Sequence, residues 1–120
     1  MTGGLSVAID AGTSFIKALV LDADGQEVAS ASRRTAVRRP SPDRSEQDMA
    51  EVRDAAFACV AEAVRDRAAD VARIAVTAQG DGAWIVTAQG VPAGPAVLWN
   101  DGRAADVVRG WERSGVLEET

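Results

Sequence analysis

Asp10, Gly12, Thr13, Ser14 and Lys17 bring a carboxylate, a flexible backbone, two hydroxyls and an ammonium into one short stretch. If a strand delivers Asp10 into a tight Gly12-Thr13-Ser14 turn and Lys17 opens the return strand, these groups suit a magnesium phosphate. Backbone N–H groups and hydroxyls can cradle phosphate oxygens, Lys17 can neutralise charge that develops on transfer, and Asp10 can hold Mg²⁺ directly or through water. The loop joins two strands and lacks the GxxxxGK[ST] spacing of a strand-to-helix phosphate loop. The same residue types also build ordinary hairpin turns, so a plain turn stays open on these residues alone.

The elements that must position this turn follow from pattern. Residues 5–9 are largely apolar and fit a buried strand, and residues 15–21 a second. The Asp22-Ala-Asp-Gly25 stretch is hairpin chemistry, because Gly25 takes a positive φ at little cost, and it leads to a third strand over residues 26–37. Residues 40–47 read as a polar loop. Asp48 then caps a helix, with Glu51 completing a capping-box pattern, and the helix is expected to run to about Val71. Val52, Ala56, Cys59 or Val60, Ala63 and Val64 share the face that should lie on the sheet. Residues 73–78 form a strand parallel to an earlier one and end at Gln79-Gly-Asp-Gly82. Residues 83–87 and 95–99 are expected to pair around Gly90, Pro92 and Gly94. A short helix over residues 103–113 should turn Val107, Val108 and Trp111 inward.

With 120 residues, 47% hydrophobic and 26% charged, the chain reads as one globular α/β domain, too short for a two-domain enzyme. Its net charge of -5 disfavours polyanions, and no face of clustered Lys and Arg interleaved with aromatics argues for nucleic acid. Arg33, Arg34, Arg38 and Arg39 run into Pro40, Pro42 and Asp43, which fits a solvated loop. No apolar run approaches the ~18 residues of a membrane span and the start lacks a signal-peptide pattern, so a cytoplasmic location is expected. With no histidine and one cysteine, a tetrahedral zinc site lacks ligands; Cys59 is expected to be a small core side chain, and any metal a hard cation held by oxygens.

The stretch VAIDAGTSFIKALVLDADG resembles the first phosphate loop of the actin, sugar kinase and heat-shock ATPase group. That resemblance implies an actin-like, ribonuclease H-like α/β domain with a mixed sheet: three antiparallel strands, then parallel ones. SEQDMAEV resembles the glutamate-containing entry to the first helix of the FGGY carbohydrate kinases. IAVTAQGDGAWIV resembles their substrate-side strand and turn, and PAVLWNDGRAADV resembles the Trp-Asn-Asp-Gly-Arg segment of xylulokinase-like members. The family implies ATP and magnesium as cofactors and a small sugar or polyol as acceptor. It puts Asp10, Gly12, Thr13, Ser14 and Lys17 on the γ-phosphate and its metal, and Gln79, Gly80, Asp81, Trp99, Asn100, Asp101 and Arg103 on the substrate.

Xylulokinases resemble one another in a Gln-Met-His-Gly turn and glycerol kinases in Gln-Arg-Glu, whereas Gln79-Gly-Asp-Gly82 looks like erythritol kinase-like members. Ionised Asp81 is an acceptor suited to two neighbouring hydroxyls of a polyol, and Gly80 leaves room beside it. The bland alternative makes Asp81-Gly82 a turn and Trp99 a core aromatic. By the same resemblance, residues 1–120 are the N-terminal part of an FGGY-type kinase domain, with the general-base aspartate and the nucleotide domain expected downstream. No catalytic residue is then assigned here, and the polypeptide alone is expected to be inactive. An incomplete sheet predicts marginal stability or self-association, a homodimer among its forms. The competing reading from another class is a non-catalytic sugar-binding or regulatory module. A chaperone ATPase or a ROK-type kinase predicts no Trp99 to Arg103 segment, and the latter has Asp-x-Gly-Gly-Thr instead.

Overall fold

A computed structural model describes residues 4–119. The first three strands, β1 (Leu5–Ala11), β2 (Phe15–Leu21) and β3 (Glu27–Arg34), form an antiparallel meander. Its second turn closes because the Asp22 carboxylate accepts from the backbone N–H groups of Asp24 and Gln26, both at 2.9 Å, while Gly25 takes a φ of 79°. Helix α1 (Met49–Val64) then crosses the sheet. Asp48 caps it by accepting from the N–H groups of Ala50 at 2.8 Å and Glu51 at 3.1 Å. Strand β5 (Val71–Ala78) returns parallel to β1, so the sheet order is β3-β2-β1-β5 and the sheet is mixed.

Successive side chains of a strand alternate between faces, so Val7, Ile9 and Ala11 of β1 and Ile16, Ala18 and Val20 of β2 share the face under α1. Val7, Ile16, Ala18, Val20 and Ala31 are buried there against Cys59, Ala63 and Val64 of the helix, and Cys59 is the core side chain its setting predicts. The opposite face carries Ser6, Ala8, Asp10 and Lys17.

Several boundaries differ from the sequence pattern for physical reasons. The α-helix stops at Val64, not near Val71, because its apolar face ends there. Arg65 takes a φ of 41°, and the exposed residues Arg65–Asp70 wind as a 3-10 segment into β5. The third strand stops at Arg34, since the chain leaves its partner after Thr35 N–H reaches Ser14 O and Arg38 bridges to Glu46 instead. That bridge introduces a strand inside the expected loop: β4 (Glu46–Gln47) pairs antiparallel with β6 (Ala96–Val97). The expected pair over 83–87 and 95–99 is reduced to a single bridge, Ala83 to Val97, and Val86 bridges instead to Pro92, because Pro92 and Pro95 have no N–H for a ladder. Val107, Val108 and Trp111 of α2 (Ala105–Ser114) are exposed, since among the described residues α2 makes no extensive contact with the sheet or with α1. Ile74 and Val76 of β5 are exposed too, beyond the reach of α1.

The core gives a direct expectation. Ile16→Ala should cost about 2 to 5 kcal/mol in urea denaturation, because its side chain is fully buried. Phe57→Ala, at a helix position 68% exposed, should change stability by no more than about 0.5 kcal/mol.

Candidate active site

Asp10 sits one residue from the end of β1, directly across from Lys17 on β2 and Thr77 on β5. Strand alternation puts all three on the sheet face away from α1, where Asp10 and Lys17 are exposed. The turn that follows is tight: a Cβ on Gly12 would stand 2.9 Å from Phe15 O, so the backbone there closes only without a side chain. Ser14 is exposed at the tip, whereas Thr13 is half-buried and turned to other partners. The turn thus sets a carboxylate and an ammonium on the open sheet face, with an exposed hydroxyl at its tip.

Thr13 is the junction of the site. Its hydroxyl hydrogen-bonds Gln79 Oε1 at 2.9 Å, and Trp99 Nε1 donates to the same hydroxyl at 3.3 Å. Its carbonyl accepts from Gln47 Nε2 at 2.8 Å and from Thr35 Oγ1 at 2.6 Å. Gln79 Nε2 in turn donates to Gln47 Oε1 at 2.8 Å, and Gln79 N–H reaches Ala11 O at 3.2 Å. The turn between β1 and β2, the end of β5, β4 and the Trp99 segment therefore meet in one hydrogen-bonded knot. Trp99 remains 59% exposed, so its N–H is fixed while most of the indole stays open to a ligand.

Beyond Gln79, Gly80 is in open space and Asp81 takes a left-handed φ of 56°. Gly82 is required by close approach, since a Cβ would lie 2.6 Å from Val97 O. That contact accompanies the Ala83 to Val97 bridge, which presses the Asp81 turn against the strand leading to Trp99.

Asn100 is exposed, but Asp101 and Arg103 are engaged within the chain. Asp101 Oδ2 accepts from Ser45 N at 2.7 Å, and its Oδ1 from Arg103 N at 3.0 Å and Arg103 Nε at 2.7 Å. Arg103 Nη2 also reaches Glu46 Oε1 at 2.6 Å. Gly102 N–H to Asp43 O and Leu98 N–H to Ser45 O complete a clamp that holds β4 beside the Trp99 segment. The Arg103 guanidinium, helped by the Ser45 and Arg103 N–H groups, keeps the Asp101 carboxyl well below the usual carboxylate range. Arg103 is correspondingly raised.

The expected residues therefore fall into three groups: Asp10, Gly12, Ser14 and Lys17 at the turn; Thr13, Gln79 and Trp99 in the knot, with Gly80 and Asp81 beyond it; and Asp101 with Arg103 in the clamp, while Asn100 stays exposed between knot and clamp. Gln47, Glu46, Ser45 and Thr77 were not singled out by sequence pattern. Ser45, Glu46 and Gln47 open the SEQDMAEV stretch, but short polar side chains in a loop carry no periodic signal of burial. Among the described residues no three His, Cys, Asp or Glu gather as a metal cluster. A lone exposed carboxylate, Asp10, is compatible with magnesium, which binds through one or two carboxylates plus substrate phosphates and keeps its remaining waters.

Residues 5–120 match the FGGY family of carbohydrate kinases, N-terminal domain. An erythritol kinase of Brucella abortus is 36% identical over 113 residues, covering 88% of this chain and 21% of that protein. A xylulose kinase of Escherichia coli is 37% identical over 101 residues, covering 82% of the chain and 21% of that protein. The xylulose kinase structure from Rhodospirillum rubrum superposes with a TM-score of 0.81 at 27% identity, over 92% of this chain and 23% of that one. The chain thus spans about a fifth of the length of the curated relatives it matches.

Two outcomes follow from the geometry. Gly82→Ala should break the Ala83 to Val97 bridge and quench the coupling of Asp81 to the Trp99 segment, read as changed Trp fluorescence and a lowered melting temperature; Gly80→Ala should leave both unchanged. Asp101 holds its proton less tightly when folded, so its clamp adds stability above the ordinary aspartate pKa of about 3.9 and loses it as pH falls through the lower folded value. Asp101→Asn should therefore melt earlier than the parent at pH 7, with the gap narrowing as acid is added below about pH 4. A gap that stays constant down to pH 2 in thermal scans would contradict this.

Proposed function

Because the chain belongs to the FGGY family of carbohydrate kinases, we propose that it forms the phosphate turn and the acceptor-side wall of a kinase that moves the ATP γ-phosphate onto a hydroxyl of a small sugar or polyol. The acceptor is a pentulose, or a tetritol or pentitol. The general base and the remaining nucleotide contacts lie outside residues 1–120 in this reading. The observation that carries it is the knot at Thr13, which ties the phosphate-side turn directly to Gln79 and Trp99 on the acceptor side. Two half-sites joined by hydrogen bonds of 2.9 and 3.3 Å are what in-line transfer between bound partners needs, since positioning carries most of the rate.

ATP with magnesium supplies the transferable phosphoryl group and the cation that offsets phosphate charge. The residues of the chain do the rest by placement. The turn amides from Gly12 onward and the Ser14 hydroxyl donate to phosphate oxygens, Lys17 offsets the charge that grows on them, and Asp10 holds the metal side. On the other wall, Asp81 accepts from neighbouring hydroxyls of the acceptor, and the open face of Trp99 packs on its carbon skeleton. Asp101 and Arg103 act by holding β4 and the Trp99 segment together.

The test is ADP release by the product of the whole gene with a panel of pentuloses, tetritols and pentitols. At least one acceptor should stimulate turnover, and Asp10→Asn should lower kcat by about 10²- to 10³-fold while leaving the circular dichroism spectrum unchanged. No stimulation by any acceptor would end the kinase reading.

A further inference from the structure

Gln47 is fully buried, and every polar atom of the knot around it has a polarity set by one backbone group. The Thr13 carbonyl can only accept, and Gln47 approaches it at 2.8 Å, so the amide of Gln47 must present Nε2 there. Its Oε1 consequently faces Gln79, which must answer with its own Nε2, also at 2.8 Å. Gln79 then has only Oε1 left for Thr13 Oγ1, and the Thr13 hydroxyl must donate to it. Trp99 Nε1, which can only donate, meets the same oxygen and agrees with that assignment. The ring closes on itself without a free choice.

We infer that Gln47 is a positioning residue: by reading the Thr13 carbonyl it sets the amide of Gln79 and through it commits the Thr13 hydroxyl proton away from the phosphate side. Thr13 can then accept or ligate through its remaining lone pair but has no proton to donate. Ser14 is left as the hydroxyl donor of the turn. The proton placement stands on the hydrogen-bonded ring alone, and its consequence for phosphate rests on the kinase reading above.

Reversing any one amide would break the pattern. A flipped Gln47 would set its Oε1 against the Thr13 carbonyl and its Nε2 against Gln79 Nε2, two acceptors and two donors facing each other in a buried site. Thr35 Oγ1 already donates to that carbonyl, so the flip leaves its mismatch on the Gln47 and Gln79 amides.

The test uses the ¹⁵N-labelled 120-residue chain and follows the side-chain amide signals of Gln79 and the indole N–H of Trp99. In Gln47→Leu the Gln79 amide should exchange with water at least tenfold faster and the Trp99 indole signal should move. In Gln47→Glu the signals should match the parent while the introduced carboxyl is protonated, since it can then donate to the Thr13 carbonyl and accept from Gln79. They should turn toward those of the leucine variant as it ionises, with a midpoint above the ordinary glutamate value of about 4.3. Signals unchanged in the leucine variant, or pH-independent in the glutamate variant, overturn the inference. If the leucine variant fails to fold, the glutamate variant at two pH values decides. In the kinase assay, the glutamate variant should lose turnover over the same pH interval while the parent does not; a parent-like pH profile overturns the link to phosphate. Absence of turnover in the parent touches only the kinase reading, because the amide signals need no ligand.

Discussion

The backbone carbonyl of Thr13 is the constraint on which the rest of the site is built. A turn as tight as the one between β1 and β2 turns a peptide oxygen inward, and a buried acceptor without donors is costly. Thr35 Oγ1 and Gln47 Nε2 satisfy it, and each comes from a different part of the chain. The demand of one oxygen therefore recruits the end of the meander and β4 to the turn. From Gln47 the same demand passes to Gln79 at the end of β5 and back to the Thr13 side chain.

That arrangement is possible only because the sheet has the register it has. Pairing Asp10 with both Lys17 and Thr77 fixes which residues share the open face, and a one-residue slip would carry Asp10 under α1 and Ile9 into water. The apolar set Val7, Ile16, Ala18 and Val20 opposes such a slip, since each is buried against the helix. Core packing on one face thus selects the chemistry presented on the other. The parallel strand β5 belongs to the same logic: its pairing with β1 delivers Gln79 beside Ala11, where its backbone N–H is held at 3.2 Å.

The meander, the capped helix and the parallel return of β5 were legible because each has a local signature: an Asp-Gly turn, Asp48 three residues before Glu51, an apolar stripe ending at Val64. The turn from Asp10 to Lys17 was legible for the same reason, and so was its resemblance to a family. The knot and the clamp were not. Gln47, Ser45 and Glu46 gain their meaning from contacts with Thr13, Gln79, Asp101 and Arg103, and amide or carboxylate side chains in a short polar stretch carry no periodicity that would foretell burial. The expected inward face of α2 failed for the converse reason, because its pattern was real but among the described residues neither the sheet nor α1 packs extensively on α2, and Val107, Val108 and Trp111 stay exposed.

The segment from Trp99 to Arg103 illustrates why residue type alone does not separate the groups of a site that stay open from those engaged within the chain. Four of its polar or aromatic groups fit a sugar pocket equally well on paper, yet Asp101 has both oxygens engaged by Ser45 and Arg103, and Arg103 also grips Glu46. A carboxylate so engaged is a poor acceptor for a hydroxyl, because a new partner would have to displace a charge-assisted bond. Trp99 is different: its one polar atom is tied to Thr13, and what remains open is apolar. The segment is therefore divided into groups left open, such as the face of Trp99, and groups whose polar atoms are spent within the chain. The ion pair and the buried glutamine both belong to the second kind, which is why β4, only two residues long, has more influence on the site than its size suggests.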